Sequence, residues 1–346
     1  MINNTTICID LAKTVFQVAV FNQFGKLKSN REVSEKIMCD IIRQHPAASI
    51  YMEACGTAHH WGRKFSSEGY SIGLIPPHIA AKYRLGNKND KNDAVSIYEA
   101  SKSTQLKCVQ TRTLEQQDIA LLHRHREGFK KERNQVANRI RGVAREYGIN
   151  FPLGLKKLCQ QVPWELDEPD NGLTVIGRTI LRNLLDHLTH IIKCFDRVTK
   201  EIELVAKKVN ACNRLMAIPG IGLLGSSMLY AKLGSGEAFS RGRDASASLG
   251  VVPSHSGSGG KVNIGRITKR GDVYLRSLLT NGARTVVMNI KNKEDSLSCW
   301  IRSLLARKNF NKTVIAVVNK LVRVALAMLK SGHEYHLPVA RLEAVS

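Results

Sequence analysis

Two stretches of helical spacing, Thr113 to Tyr147 and Val175 to Asn210, constrain this chain more than any other feature. In the first, Leu114, Ile119, Leu122, Phe129, Val136, Ile140 and Val143 recur among Arg and Lys; in the second, Ile176, Ile180, Leu184, Leu188, Ile191, Phe195, Val198, Ile202, Val205 and Val209 do the same. Gly148, Pro152, Gly154 and Pro163 interrupt the pattern between them, and Asp167 to Gly172 reads as a loop. Because heptads are not sustained, the two helices fit either a coiled-coil arm between subunits or a plain bundle. At 346 residues the chain is too long for one ordinary domain, so the helices separate an N-terminal part from a C-terminal part.

The N-terminal part is a series of short strands. Thr5 to Asp10, Val15 to Phe21 and Lys26 to Val33 read as strands, the last two joined through the turn Asn22-Gln-Phe-Gly25. A helix over Ser34 to Gln44 comes next, then a strand Ser49 to Glu53, a helix Gly62 to Glu68, and a strand Ser71 to Ile75 stopped by Pro76-Pro77. A meander succeeded by alternating strands and helices implies a mixed sheet in an α/β domain.

The formal charge of +23 calls for a polyanionic partner, and nucleic acid is the expected one. Residues 1 to 100 hold 12 Lys/Arg against 9 Asp/Glu, leaving 40 against 20 for the rest. The phosphate-gripping surface is therefore expected beyond residue 100, including the basic helix from Arg124 to Arg145. The eight cysteines show no Cys-x-x-Cys spacing, which argues for reduced thiols over zinc or disulfides. The N-terminus lacks a secretory pattern and no apolar run approaches ~18 residues, so a cytoplasmic protein with no membrane span is expected.

Against this basic background four carboxylates stand out. Asp10 and Glu53 each close an apolar strand, and Asp90 and Asp93 lie in Lys88-Asn-Asp-Lys-Asn-Asp-Ala94. A lone Asp at a strand end is usually a turn former, and Asn-Asp-Lys-Asn-Asp has the composition of a solvated loop. Together, however, they match what two-metal phosphoryl chemistry needs, several anionic oxygens converging within ~4 Å from rigid elements. If Asp90 and Asp93 are helical, they share one face.

Beyond Asn213 the chain is rich in Gly, Ser, Arg and Lys. Ala217-Ile-Pro-Gly-Ile-Gly222 has the form of a helix-hairpin-helix turn, whose backbone N–H groups meet a phosphate. Gly220-Ile-Gly-Leu-Leu-Gly225 also fits a dinucleotide fingerprint, but a helix and not a strand precedes it, which excludes that reading. A Gly/Ser loop, Pro253 to Gly265, leads into the basic run Arg266 to Gly271, then helices over Val273 to Asn289 and Lys312 to Lys330. His59-His60 and His123 with His125 point to different helix faces and read as surface or packing residues.

The segments Ile-Cys-Ile-Asp10-Leu-Ala-Lys, Tyr-Met-Glu53-Ala-Cys-Gly-Thr and Asn-Asp90-Lys-Asn-Asp93-Ala resemble the Asp-Glu-Asp-Asp tetrad of an insertion-sequence transposase family. That family includes the Piv-type invertases and the bridge-RNA-guided recombinases. Ile-Pro-Gly-Ile-Gly222, Ala-Ser-Leu-Gly-Val-Val-Pro253, Ser-Gly-Gly-Lys261 and Gly-Arg-Ile-Thr-Lys-Arg-Gly271 are similar to its second domain, in the family's order, so the likeness spans roughly residues 5 to 330.

The resemblance implies a RuvC/RNase H-like domain over 1–105, a long-helix or coiled-coil region over 106–212, a mostly α transposase domain over 213–330 and a tail over 331–346. It implies Mg2+, or Mn2+, held by Asp10, Glu53, Asp90 and Asp93, and a catalytic serine at Ser258, with Ser256 as the fallback because Gly257 stands where many members have a serine. A serine ester with a DNA phosphate conserves the bond energy needed for rejoining. Further implied are donor and target DNA, a guide RNA that pairs with both, and dimers or tetramers in which the carboxylates of one subunit face Ser258 of another. The competing reading is a metal-dependent nuclease or junction resolvase that works through activated water, with Ser258 a bystander; a non-catalytic nucleic-acid binder is the second rival.

Overall fold

The computed structural model describes residues 5–87, 89–104, 106–258, 261–291 and 293–336, and gives the backbone alone for Ser258, Lys261 and Val262. The chain forms two compact units, one of residues 1–115 with 233–240 and one of 116–232 with 241–346.

The first unit is built on a five-stranded mixed sheet. Strands β1 (Thr6–Leu11), β2 (Phe16–Phe21) and β3 (Leu27–Val33) form the expected antiparallel meander, while β4 (Ser49–Glu53) and β5 (Ser71–Ile75) add in parallel beside β1, giving the order β3-β2-β1-β4-β5. Helices α1 (Glu35–Arg43) and α2 (Ala58–Ser67) connect the strands from β3 onward; α3 (Pro77–Ala80), a 3-10 turn and α4 (Asp90–Ser101) come after β5. The start of α2 precedes the expected Gly62 because Ala58, Trp61 and Phe65 already point into the core.

The side-chain alternation of β1 and β4 divides the sheet into two faces. Ile7, Ile9, Ile50 and Met52 join Met38, Ile42 and Phe65 on the face covered by α1 and α2. Cys8 and Tyr51 join Ala94, Ile97 and Tyr98 on the face covered by α4. The small buried residues Ala94, Ser96 and Ala100 let α4 lie close against β1, and Tyr98 stacks on Phe21 with ring centroids 3.6 Å apart. The inserted segment 233–240 is held here by Lys107 Nζ donating to Ser240 Oγ at 3.2 Å and Gln110 Nε2 donating to Ser235 Oγ at 3.3 Å.

Among its described residues the second unit has one β-ribbon, and its other elements are helices. Its long helices are α5 (Leu114–Glu146), whose first two residues count with the first unit, and α7 (Val175–Lys208). They run antiparallel: Arg126 Nε donates to Thr199 Oγ1 at 2.8 Å, and the guanidinium groups of Arg126 and Arg133 sit 4.4 and 4.5 Å from the Phe195 ring centroid. Between them lies α6 (Leu155–Asp167), a helix where the sequence suggested an interruption. Pro163 lies inside it; Leu158, Val162 and Leu166, four residues apart, bury one face against α5 and α7, and that packing outweighs the lost backbone bond.

Helices α8 (Asn210–Met216) and α9 (Leu223–Leu233) flank the turn at 217–222. Next along the chain are α10 (Gly242–Ser248), strands β6 (Pro253–Ser258) and β7 (Lys261–Ile267), and helices α11 (Val273–Met288), α12 (Ser296–Leu305) and α13 (Phe310–Ser331). Gly220 has φ +82° and lies so close to α11 that a Cβ there would come within 2.8 Å of Gly282 O. Helix contact therefore explains this glycine, and the preceding element is α8, as the rejection of a dinucleotide site requires. The expected Gly/Ser loop is instead the antiparallel ribbon β6–β7, with Ser256 opposite Asn263 and Ser258 opposite Lys261. Among the described residues no helix is long and apolar enough to cross a membrane.

Candidate metal centre

The alternation that packs the sheet also gathers the carboxylates. Asp10 lies two residues beyond Cys8 on β1 and so takes the α4 face; Glu53 lies two beyond Tyr51 on β4 and takes the same face. The parallel register pairs Ile9 with Met52, which places Asp10 and Glu53 side by side one residue further along. Asp90 and Asp93 occupy the first turn of α4, whose N-cap Asn89 accepts from Asn92 N–H at 2.8 Å. The segment is therefore a capped helix start, and the loop reading is set aside for Asp90 and Asp93. The positive end of the helix favours both, by about 0.3–1 kcal/mol each in exposed settings.

One oxygen from each of Asp10, Asp90 and Asp93 comes within 4.8 Å of the others. Burial, then the charges of Asp93, Glu53 and Asp90, push the Asp10 carboxyl up to about 6, against a weaker lowering by the Leu11 backbone N–H. Glu53 thus lies near enough to act on Asp10 electrostatically, although the tight oxygen cluster consists of the three aspartates. A set of mutually repelling carboxylate oxygens is the donor chemistry that hard divalent cations take, so these residues fit such an ion. Arg84, beside the 3-10 turn, forms an ion pair with Asp93 and offsets part of the charge.

Two residues that the sequence did not single out position α4. Gln17 is directly opposite Asp10 in the β1–β2 ladder and is 4% exposed. Its Nε2 donates to Asn30 Oδ1 at 2.6 Å, and Asn30 Nδ2 donates to Lys91 O at 3.0 Å in the first turn of α4. A polar Gln in the middle of Phe16-Gln-Val-Ala-Val-Phe21 was the available signal, since a buried amide needs partners.

Ser258 and Ser256 belong to the ribbon of the other unit, Ser258 at its last position before Gly259 and Gly260, which lie outside the described residues. The Ser256 side chain is exposed. His123, expected to pack, is 1% exposed and joins three helices of the second unit. Ser227 donates its hydroxyl to Leu223 O at 2.8 Å, leaving its oxygen to accept from His123 Nε2–H at 2.9 Å, while Tyr274 O–H donates to Nδ1 at 3.0 Å. Burial, then Arg126, lower the His123 ring to about 4, so it is neutral and structural.

Known proteins resemble this chain over most of its length. A family described as "Transposase IS116/IS110/IS902 family" matches residues 212–297, and a transposase family of the DEDD IS110 type matches residues 7–149. The chain is 35% identical over 327 residues to the transposase for insertion sequence element IS1111A of Coxiella burnetii, covering 94% of this chain and 90% of that protein. It is 34% identical to a probable family 20 transposase of Pseudomonas aeruginosa (94% and 97% covered) and 31% identical to the transposase for insertion sequence element IS1328 of Yersinia enterocolitica (96% and 98%).

Proposed function

This chain belongs to the IS116/IS110/IS902 family of insertion-sequence transposases, and on that premise we propose that it cuts and rejoins DNA through Ser258, assisted by Mg2+ at Asp10, Glu53, Asp90 and Asp93. The observation that carries the metal half is the convergence of Asp10, Asp90 and Asp93 within 4.8 Å, with Asp10 pushed up to about 6 by its neighbours. The strand order β3-β2-β1-β4-β5, with three antiparallel strands and then two parallel ones, supports a RuvC/RNase H-like assignment for the sheet.

The chemistry divides between the two parts of the chain. Ser258 Oγ attacks the DNA phosphorus, its proton passing to a base or solvent, as the P–O bond to the displaced strand breaks and that strand leaves as a free hydroxyl. Reversal of the same step with a hydroxyl from the other DNA rejoins the strands with no net change in bond number. A divalent cation would stabilise the charge that builds on the phosphate oxygens. Asp10 and Glu53 are fixed by the sheet, Asp90 and Asp93 by the capped helix, and Gln17 and Asn30 hold that helix to the sheet.

The carboxylates and Ser258 belong to different units, which accords with a composite site assembled between subunits of a dimer or tetramer, the long helices serving as the arm. Target choice falls to a guide RNA from the element's flank that pairs with donor and target DNA, and the basic surface grips backbone. Recombination between two plasmids in cells tests the reading, using a donor that carries the element's flanks. Asp10→Ala and Ser258→Ala are each expected to abolish joining while the protein stays folded; joining that survives Ser258→Ala favours water-driven cleavage, and joining that survives both removes the enzyme from the process. Sequencing of RNA that co-purifies with the wild type is expected to return one discrete species encoded beside the gene, and random cellular RNA would contradict guidance.

A further inference from the structure

Helix α13 has two faces of different character. Val314, Val317, Val318, Leu321, Val322, Ala325 and Leu326 are buried, whereas Lys312, Ala316, Lys320, Arg323 and Ala327 recur every three to four residues on the opposite side. That outer face forms one wall of a groove of about 1660 Å³, whose other residues come from α10, the base of the β6–β7 ribbon, Trp300 of α12 and the α12–α13 turn. Six cations line it, Arg266, Arg307, Lys308, Lys312, Lys320 and Arg323, and no carboxylate among the described residues does. Its apolar part includes Ile264, 72% exposed, and Val324; Lys320 Nζ stands 4.4 Å from the Trp300 ring centroid.

We propose that this groove seats a single-stranded DNA segment, phosphates on the cationic rim and bases against Ile264, Val324 and Trp300. The proposal rests on the reading that the protein handles DNA, and adds where and in which form a strand is held. Charge complementarity selects a polyanion, since six cations in a groove with no carboxylate among its described lining residues repel one another until phosphates neutralise them. The apolar floor selects the single-stranded form. A duplex keeps its bases stacked inside and presents only its backbone, so it would leave Ile264 and Val324 without partners, whereas unpaired bases stack on aromatic and apolar surface. The groove borders Pro253 and Arg266 at the base of the ribbon whose first strand ends in Ser258, so a strand held there lies against the element that carries the serine.

The test uses the full chain and a fluorescein-labelled oligothymidine of about twenty nucleotides, an oligouridine of the same length, and the matching duplex. The variant K312A/K320A/R323A is expected to bind the single strands at least ten-fold more weakly, with the slope of log affinity against log salt reduced by about 2, since each single-strand phosphate contact contributes roughly 0.7. Duplex binding is expected to change less than two-fold, and the Trp300 fluorescence change on adding single strand is expected to vanish in Trp300→Phe. The oligothymidine is expected to bind more tightly than the oligouridine, and the reverse order overturns DNA as the occupant. Unchanged single-strand affinity overturns the proposal, as does an equal loss for duplex. If the triple variant fails to fold, Lys312→Ala in the exposed first turn carries the test, with a slope change of about 0.7. Because these variants keep the four carboxylates and Ser258, a negative result leaves the strand-joining chemistry standing, and a wild-type protein that binds the strand but fails to join DNA sinks that chemistry alone.

Discussion

Gln17 faces Asp10 across the β1–β2 ladder, and through Asn30 its amide reaches the carbonyl of Lys91, between Asp90 and Asp93. A buried side chain on β2, the strand paired with the one that carries Asp10, thus connects through Asn30 of β3 to the helix carrying two carboxylates. Gln17→Leu removes the tie while keeping the volume, so thermal stability is expected to change by no more than about 1 kcal/mol. Divalent affinity is expected to fall roughly ten-fold, the usual consequence of losing an outer partner of a ligand set. Mn2+ titration calorimetry distinguishes the two effects; an unchanged affinity would make Gln17 a packing residue only.

Asp10→Asn should stabilise the metal-free protein while abolishing its activity. The native carboxyl is half-buried among like charges, and removing its charge is expected to gain about 1 kcal/mol once solvent screening is allowed for. Melting curves with and without Mg2+ check this: the variant should start higher than the wild type and gain little from metal. A lower starting point would mean that Asp10 serves the fold more than the site.

The same group sets a pH dependence. Its folded value of about 6 lies above the ordinary 3.8, so folding favours the protonated form. The stability it contributes is present below about 4 and is lost as pH rises through 6. The difference in unfolding free energy between Asp10→Asn and wild type, without metal, should therefore grow between pH 4 and pH 7 and then level off. Mg2+ should erase that growth, because the ion stabilises the ionised set.

His123 acts in the opposite direction. Its folded value of about 4 lies below the ordinary 6.5, so its contribution is present above 6.5 and lost as pH falls toward 4. Chemical denaturation of wild type and His123→Gln should show a wild-type advantage at pH 7 that shrinks by about 2 kcal/mol at pH 4.5. A constant difference would mean that the ring is solvated.

The sheet and its site were legible because both depend on local rules. Apolar runs closed by Asp10 and Glu53 mark strands, and period-two alternation assigns both carboxylates to one face without any tertiary information. Asp90 and Asp93 required a cap, Asn89, to be read as helix, and composition alone suggested a loop. Pro163 and the 253–267 ribbon misled for related reasons. Long-range burial of Leu158, Val162 and Leu166 carries a proline that intrinsic propensity rejects, and backbone pairing of Ser256 with Asn263 makes strands from residues with little strand preference. The Gly259-Gly260 pair between Ser258 and Lys261 was the available signal for a hairpin. Gln17 carried a signal as a lone amide in an apolar strand, but its partners, like those of Asn30 and Arg84, were not legible, since nothing in sequence spacing reports which polar side chains meet across a sheet.

Whether Ser258 holds the cut DNA end on the protein is decided by looking for the bond itself. Wild-type protein with its co-purified RNA, Mg2+ and DNA labelled at both ends of the site is quenched early, digested with protease and nuclease, and its peptides are weighed by mass spectrometry. The expected product is a nucleotide joined through phosphate to the peptide containing Ser258, absent in Ser258→Ala. Cleaved DNA whose ends are all free phosphate and hydroxyl, with no peptide attached, would contradict a serine-held intermediate.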